Sequence, residues 1–303
     1  MICDFGADHA FSQVNLKLQE HYGIHVPASN ARAITEYHAK KIQAQEDLCQ
    51  AISSQSEVVI AECDGSMVPI VETFLNTAEG IKQDGRKHKN LFWKEVRLSM
   101  AHAQGSKTPY FAATIESVKK AGEQLLFCVK QSGGYSQSKV HCVGDGAVWI
   151  ANQVEEQFGA KGSYLIDFYH LCEYLNAAAL SCAPNNQRWL KIQKEKMKLS
   201  QHQEVLRTLQ PHLEPKTIEE TKAPVRACYR YINNRLNQLD YKSAIKQGLP
   251  IGSGEIESAH RYIVQRRLKI AGAWWNLENA KNMVALRVCR VNEHWENYWE
   301  KAA

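Results

Sequence analysis

KVHCVGDGAVWIANQVEEQF (139–158) and SYLIDFYHLCEYLNAAAL (163–180) share one grammar: a short apolar strand, an acid at its end, and a helix entered at once. In the first unit Asp145 stands between two glycines; in the second Asp167 precedes Phe168-Tyr169-His170. Two strand-acid-helix units in succession predict parallel strands joined by helices, the arrangement of an α/β sheet.

Upstream, EVVIAECDG (57–65) is a β-rich apolar run that also ends in an acid, Asp64, and MVPIVE (67–72) follows it as the second arm of an expected hairpin. A polar loop, NTAEGIKQDGRKHKN (76–90), leads to a third strand in KEVRLSMAHA (94–103). Apolar residues at Ile115, Val118, Ala121, Leu125 and Leu126 predict a helix over 112–130. The resulting order, β-β-β-α-β-α-β-α with acids ending strands one, four and five, predicts an RNase H-like mixed sheet flanked by helices. Strands one and four would be neighbours there, bringing Asp64 and Asp145 together at one sheet crevice.

This catalytic core is expected over 56–183 and again in helices at 250–303. Between them, 184–249 has no strand pattern and carries 13 basic against 6 acidic residues, so an all-helical insertion is expected. Residues 1–55 read as a small helical region with helices at 10–21 and 28–50, joined tightly enough for a helix-turn-helix. The last part reads as two helices broken at Ala271-Gly272-Ala273-Trp274-Trp275, with both tryptophans expected inside.

The 303 residues, 44% apolar, suffice for a substantial core. No apolar run reaches the length of a membrane span and MICDFGADHAFSQ lacks the pattern of a signal peptide, so a cytoplasmic protein is expected. The nine cysteines are scattered without a CxxC pair and are read as reduced thiols, mostly buried. Residues 1–184 hold 16 basic and 20 acidic side chains, residues 185–303 hold 21 and 12. An acidic first part and a basic last part suit carboxylates at a metal site and cations along a polyanion.

One acid at a strand end is commonly a turn former or helix cap. Two on neighbouring strands repel each other, and a divalent cation with hard oxygen ligands, such as Mg²⁺, relieves that repulsion. A third ligand must come from beyond the insertion, where GSGEIESAH (252–260) offers Glu255 and Glu257. On a helical wheel the apolar arc of Ile256, Ala259, Ile263, Val264, Leu268, Ile270 and Ala271 has its centre roughly 70° from Glu257 and roughly 130° from Glu255. Glu257 therefore borders the docking face and is the expected ligand. No Ser/His/Asp or Cys/His pattern competes with this reading.

CDGSMVPIVE (63–72), GDGAVWI (144–150), DFYHLCEYL (167–175) and above all IGSGEIESAHRYIVQRRLKIAGAWWNLENAKNMVALRVCR (251–290) resemble bacterial insertion-sequence transposases of the ISKra group, relatives of the Mutator-like DDE transposases. The likeness runs through almost the whole chain, including FGADHAF (5–11). It implies a metal-binding triad at Asp64, Asp145 and the Glu of the helix after the insertion, without separating Glu255 from Glu257. It also implies an Asp-x-x-His signature at Asp167 and His170, which would hold the DNA strand or order the site. The implied function is Mg²⁺-dependent DNA cleavage and strand transfer at element ends, with two ions for which Mn²⁺ can substitute. Double-stranded DNA, both terminal inverted repeats and target, is the implied partner, with a homo-oligomer assembled on it and no membrane.

Arg261, Arg266, Arg267 and Lys269, with His260, follow Glu257 on the same helix and are the expected phosphate contacts. Relatives commonly carry further sequence before the FGAD segment, so an N-terminal truncation is expected. That leaves as alternatives a remnant that binds DNA without mobilising it and a stand-alone RNase H-like nuclease.

Overall fold

Strand β1 (Ser56–Leu75) is far longer than the sequence pattern suggests. In the computed structural model, which describes residues 1–45, 55–75 and 87–302, the runs around EVVIAECDG and MVPIVE form one continuous strand. No turn falls at Gly65-Ser66, because β2 (Lys87–Ala103) pairs antiparallel with β1 without a break through Asp64↔Leu98, Gly65↔Arg97 and Ser66↔Val96. The expected hairpin therefore exists one strand later, and the expected loop 76–90 lies outside the described residues up to 86. Its last residues belong to β2.

Strand β3 (Tyr110–Thr114) takes the start of the expected helix 112–130, and α4 (Val118–Gln131) begins only where Ser117 caps it by accepting from Lys120 N. Then follow β4 (Gly134–Gly144), α5 (Val148–Phe158), β5 (Gly162–Ile166) and α6 (Phe168–Cys182). The sheet order is β3-β2-β1-β4-β5, with β1, β4 and β5 parallel and β2 antiparallel to both neighbours. This is a mixed five-stranded α/β sheet flanked by helices, with strands one and four adjacent as expected.

Alternation along β1 divides the two sides. Val59, Ala61 and Cys63 pack with Leu125 of α4 and Ile150 of α5. Val68 and Ile70, with Leu98 and Met100 of β2, pack on the opposite face against helices from the end of the chain. Those are α11 (Gly254–Ala259), which continues through a π-helical turn at 260–265 into α12 (Arg266–Leu268), and α13 (Leu277–Val291). α14 (Trp295–Ala302) closes the chain.

At the start, α1 (Ile2–Asp8), α2 (Phe11–Tyr22) and α3 (Ala28–Gln43) fold together, Gly23 ending α2 in the left-handed conformation. Ala39 and Ile42 of α3 join the core formed by α13. The part of the expected helix 28–50 beyond Gln45 lies outside the described residues. Between 184 and 249 the chain is helical as expected, with α7 (Asn186–Lys198), α8 (His202–Leu209), α9 (Pro224–Asn233) and α10 (Tyr241–Lys246) packed on α6.

Eight cysteines are buried and unpaired; Cys49 lies outside the described residues. Among the described residues no helix is long and apolar enough to cross a membrane.

Candidate active site

From Val58↔Lys139 onward, parallel pairing of β1 with β4 keeps one register to Glu62↔Val143. Asp64 and Asp145 each lie two residues beyond that last pair, just past the end of the shared ladder, and the charge of Asp145 acts on Asp64. Asp64 is not at a strand end, as its sequence context suggested; β1 outruns β4 and carries on beside β2. Burial raises the Asp64 carboxyl to about 6, with the charge of Asp145 adding to the rise and the Gly65 N–H, 2.7 Å from Oδ1, opposing it.

Asp145 sits in a loop held from several sides. Its Oδ1 accepts from Ala147 N at 2.8 Å, while Gly146 N donates to the Tyr164 hydroxyl at 2.9 Å. From α9 the Tyr231 hydroxyl donates to the Asp145 carbonyl at 2.7 Å, and from just beyond that helix Arg235 Nε donates to the Gly146 carbonyl at 3.1 Å. Gly146 has φ +89°, and a Cβ there would lie 2.6 Å from the Tyr231 hydroxyl, so only glycine fits. The helices between 184 and 249 thus grip the loop that bears the second acid. Sequence reasoning missed this role for Tyr231 and Arg235, since nothing local marks a contact 86 residues away.

Glu257 lines a cavity with Asp64, Gly65, Ser66, His260, Arg261 and Gln265. Its carboxyl is raised, by partial burial first and then by the charges of Asp167 and Asp64, with Arg261 opposing. Glu255 turns elsewhere, its carboxylate 3.6 Å from His102 Nε2. Asp167, 2% exposed, is fully engaged: Oδ1 accepts from Tyr169 N and His170 N, and Oδ2 accepts from Ser253 N and Ser253 Oγ, both at 2.6 Å. It caps α6 and at the same time fastens the residue before α11. His170 is half-buried, 3.5 Å from Glu173, and near enough to Asp64 to act on its charge.

Glu62 was not singled out by the sequence. Two residues before Asp64 on the same strand face, it is 2% exposed and accepts from Ile256 N at 2.8 Å. Burial raises its carboxyl to about 8, and the charges of Glu255, Asp167 and Glu257 add to the rise. Its signal was an acid inside an otherwise apolar run, the position where a buried charge needs a reason.

Because the folded-state value lies above the ordinary 4.5, this group's stabilising contribution is full below about pH 4.5 and is lost as pH rises through about 8. Glu62→Gln should flatten that decline and be the more stable protein at pH 9 by a few kcal/mol, since each tenfold difference in proton affinity between the folded and unfolded chain corresponds to about 1.4 kcal/mol. Urea unfolding across pH 4.5–9 is the check; parallel curves for the two proteins would remove Glu62 from this role.

Of the four expected phosphate contacts, Arg261, Arg266 and Lys269 are exposed, whereas Arg267 is 2% exposed. Arg267 donates from Nε to the Gly6 carbonyl at 2.9 Å and lies over the rings of Phe11 and Trp275. It binds the first helices to the last ones and is not available to a phosphate. His260 is buried too, with Nε2 3.6 Å from Asp64 Oδ2; burial pushes its imidazole down to about 4, so it faces Asp64 as a neutral ring. Trp275 is inside as expected, but Trp274 is 41% exposed.

Among the described residues no three or more His, Cys, Asp or Glu side chains gather closely enough to form a closed ion site. The donor chemistry nevertheless suits a hard divalent cation: Asp64, Asp145 and Glu257 offer only carboxylate oxygens, and like charge helps to raise both Asp64 and Glu257.

A family model described as an uncharacterised protein family, UPF0236, matches residues 108–301. No curated protein matches the chain. Among solved structures, the "Drosophila P element transposase strand transfer complex" is similar at TM-score 0.32 and 10% identity, over 99% of this chain and 79% of that one. A likeness that slight carries no argument.

Proposed function

The chain belongs to the uncharacterised protein family UPF0236, and since that membership assigns no chemistry we propose its function from the acidic centre: a DNA transposase of RNase H-like fold that cuts and rejoins strands with divalent metal. The observation that carries this reading is that Asp64 and Asp145 each follow by two residues the last pair of the β1–β4 ladder, Glu62↔Val143, while Glu257 lines a cavity with Asp64 from a helix nearly two hundred residues further on. The sequence motifs around the same three acids support it.

Asp64, Asp145 and Glu257 would hold Mg²⁺. When bound, the metal would supply Lewis-acid activation of water or a 3′-hydroxyl and stabilise the leaving oxygen of a phosphodiester. The chain's own residues do the rest. Arg261, beside Asp64 in the cavity, places a phosphate against the acids. His260 backs Asp64 as a neutral ring that adds no charge to the centre. Asp167 and Glu62 fix the start of α11, and with it the position of Glu257, by anchoring Ser253 and Ile256. Tyr231 and Arg235 fix Asp145.

The purified chain, given duplexes ending in the DNA that flanks its own coding sequence, should nick them in Mg²⁺ or Mn²⁺ and leave them intact in EDTA. Metal-independent nicking, or none with any divalent ion, would count against the proposal.

A further inference from the structure

The β1–β2 ribbon continues beyond the part of the sheet covered by α4 and α5, and the face it shows there is aromatic. Trp93 is 55% and Leu91 51% exposed, two residues apart on one face of β2. Trp274 stands beside Trp93, ring centroids 6.2 Å apart and planes inclined at 59°, so the two indoles form an open wedge. The wedge is rigid on its inner side. Trp275 is pinned to β1 by Val71 N donating to its carbonyl at 2.8 Å and by its own N–H donating to the Pro69 carbonyl at 3.1 Å, while its indole N–H donates to the Leu268 carbonyl.

Along the chain, polar and cationic side chains lie between the acidic centre and Trp274. Arg261 and Gln265 line the cavity with Asp64, and Lys269, one helical turn beyond Gln265, acts electrostatically on the buried His260 next to Asp64. Five residues later the chain reaches Trp274. Arg266 belongs to the other side, where its charge acts on Asp8 and Arg287. On the ribbon, exposed Lys89 shares the strand face of Leu91 and Trp93, and Glu95 is engaged by Arg97. Cations leading from a phosphate-cutting centre to two held, exposed indoles fit a polyanion that carries flat apolar rings.

We infer that Trp93 and Trp274 stack on an unpaired base of the DNA strand whose phosphate lies at the acidic centre, with Arg261 and Lys269 tracking the intervening backbone. The inference rests on the reading of Asp64, Asp145 and Glu257 as a DNA-cutting centre, and it specifies a strand distorted or unpaired next to the cut.

The test uses the full chain carrying Asp64→Asn, so that no substrate is consumed, and duplexes with short single-stranded extensions in which 2-aminopurine replaces one unpaired base at a time. Stacking predicts quenched 2-aminopurine fluorescence at one or two positions and about tenfold tighter binding of extended than of blunt duplex. Trp93→Ala and Trp274→Ala should each abolish the quenching and most of the preference while keeping blunt-duplex affinity; Trp93→Phe should restore most of both. Quenching and preference that survive the double alanine variant would overturn the inference. So would a double variant that changes only the oligomeric state in sedimentation, which would make the face a contact between copies. Quenching by the Asp64→Asn chain, with no metal-dependent cleavage by the wild type, would sink the proposed function and leave the stacking site standing; cleavage without quenching would do the reverse. Failure to bind any of these DNAs would overturn both.

Discussion

Asp64→Asn yields a folded chain that binds duplex DNA at least as well as the wild type and cuts it more than about 100-fold more slowly in Mg²⁺. The lower bound follows from the scale of outer-shell substitutions around metal ligands, which already cost 10–100-fold; a ligand itself must cost more. Binding survives because loss of a negative charge beside the phosphates cannot weaken their attraction to Arg261 and Lys269. Folding survives because the Asp64 carboxyl, raised to about 6 by burial and by Asp145, is held against its own ionisation in the folded chain. Gel-based cleavage and fluorescence anisotropy on one protein preparation separate the two effects. Cleavage at the wild-type rate would exclude Asp64 as a ligand and leave the β1–β4 register without a catalytic meaning.

Asp64 and Asp145 were legible because each sits where a period-2 apolar run gives way to glycine, and Gly146, with its positive φ, lets the chain turn from β4 towards α5. The same glycine signal misled at Gly65. There it suggested a turn, but Gly65 lies in unbroken pairing with Arg97, in a position where a Cβ would run into the Glu95 side chain. Local composition records a glycine, not whether it sits at a bend or inside a strand.

Arg267 shows a second limit. The sequence groups it with the phosphate contacts only as one of the cations that follow Glu257, yet at ~100° per residue it falls inside the apolar arc of Ile256, Ala259, Ile263 and Val264. Its burial against Phe11 and Trp275, just past the π-helical turn at 260–265, is what that arc requires; the charge of the side chain, not its phase, misled. Glu62, Tyr231 and Arg235 act through contacts 86 to 194 residues away, which no local pattern encodes.

Glu257→Gln should lose cleavage to the same degree as Asp64→Asn, whereas Glu255→Gln should stay within a few-fold of wild type. Only the first of these carboxylates shares a cavity with Asp64, and its raised proton affinity records the charges of Asp167 and Asp64 around it. The intervening residue fixes this choice: Ile256 is fully buried, with its N–H given to Glu62, so the residues on either side of it diverge around the helix. Glu255 is turned to His102 on β2, where its loss removes a 3.6 Å contact with that ring and an acid near a helix start, a change of ~0.3–1 kcal/mol in stability. Cleavage rates of the two glutamine variants, read beside their unfolding midpoints, distinguish a ligand from a cap. Should Glu255→Gln abolish cleavage while Glu257→Gln cuts normally, α11 must rotate when DNA and metal bind, and the third carboxylate would move two residues upstream with the reaction class unchanged.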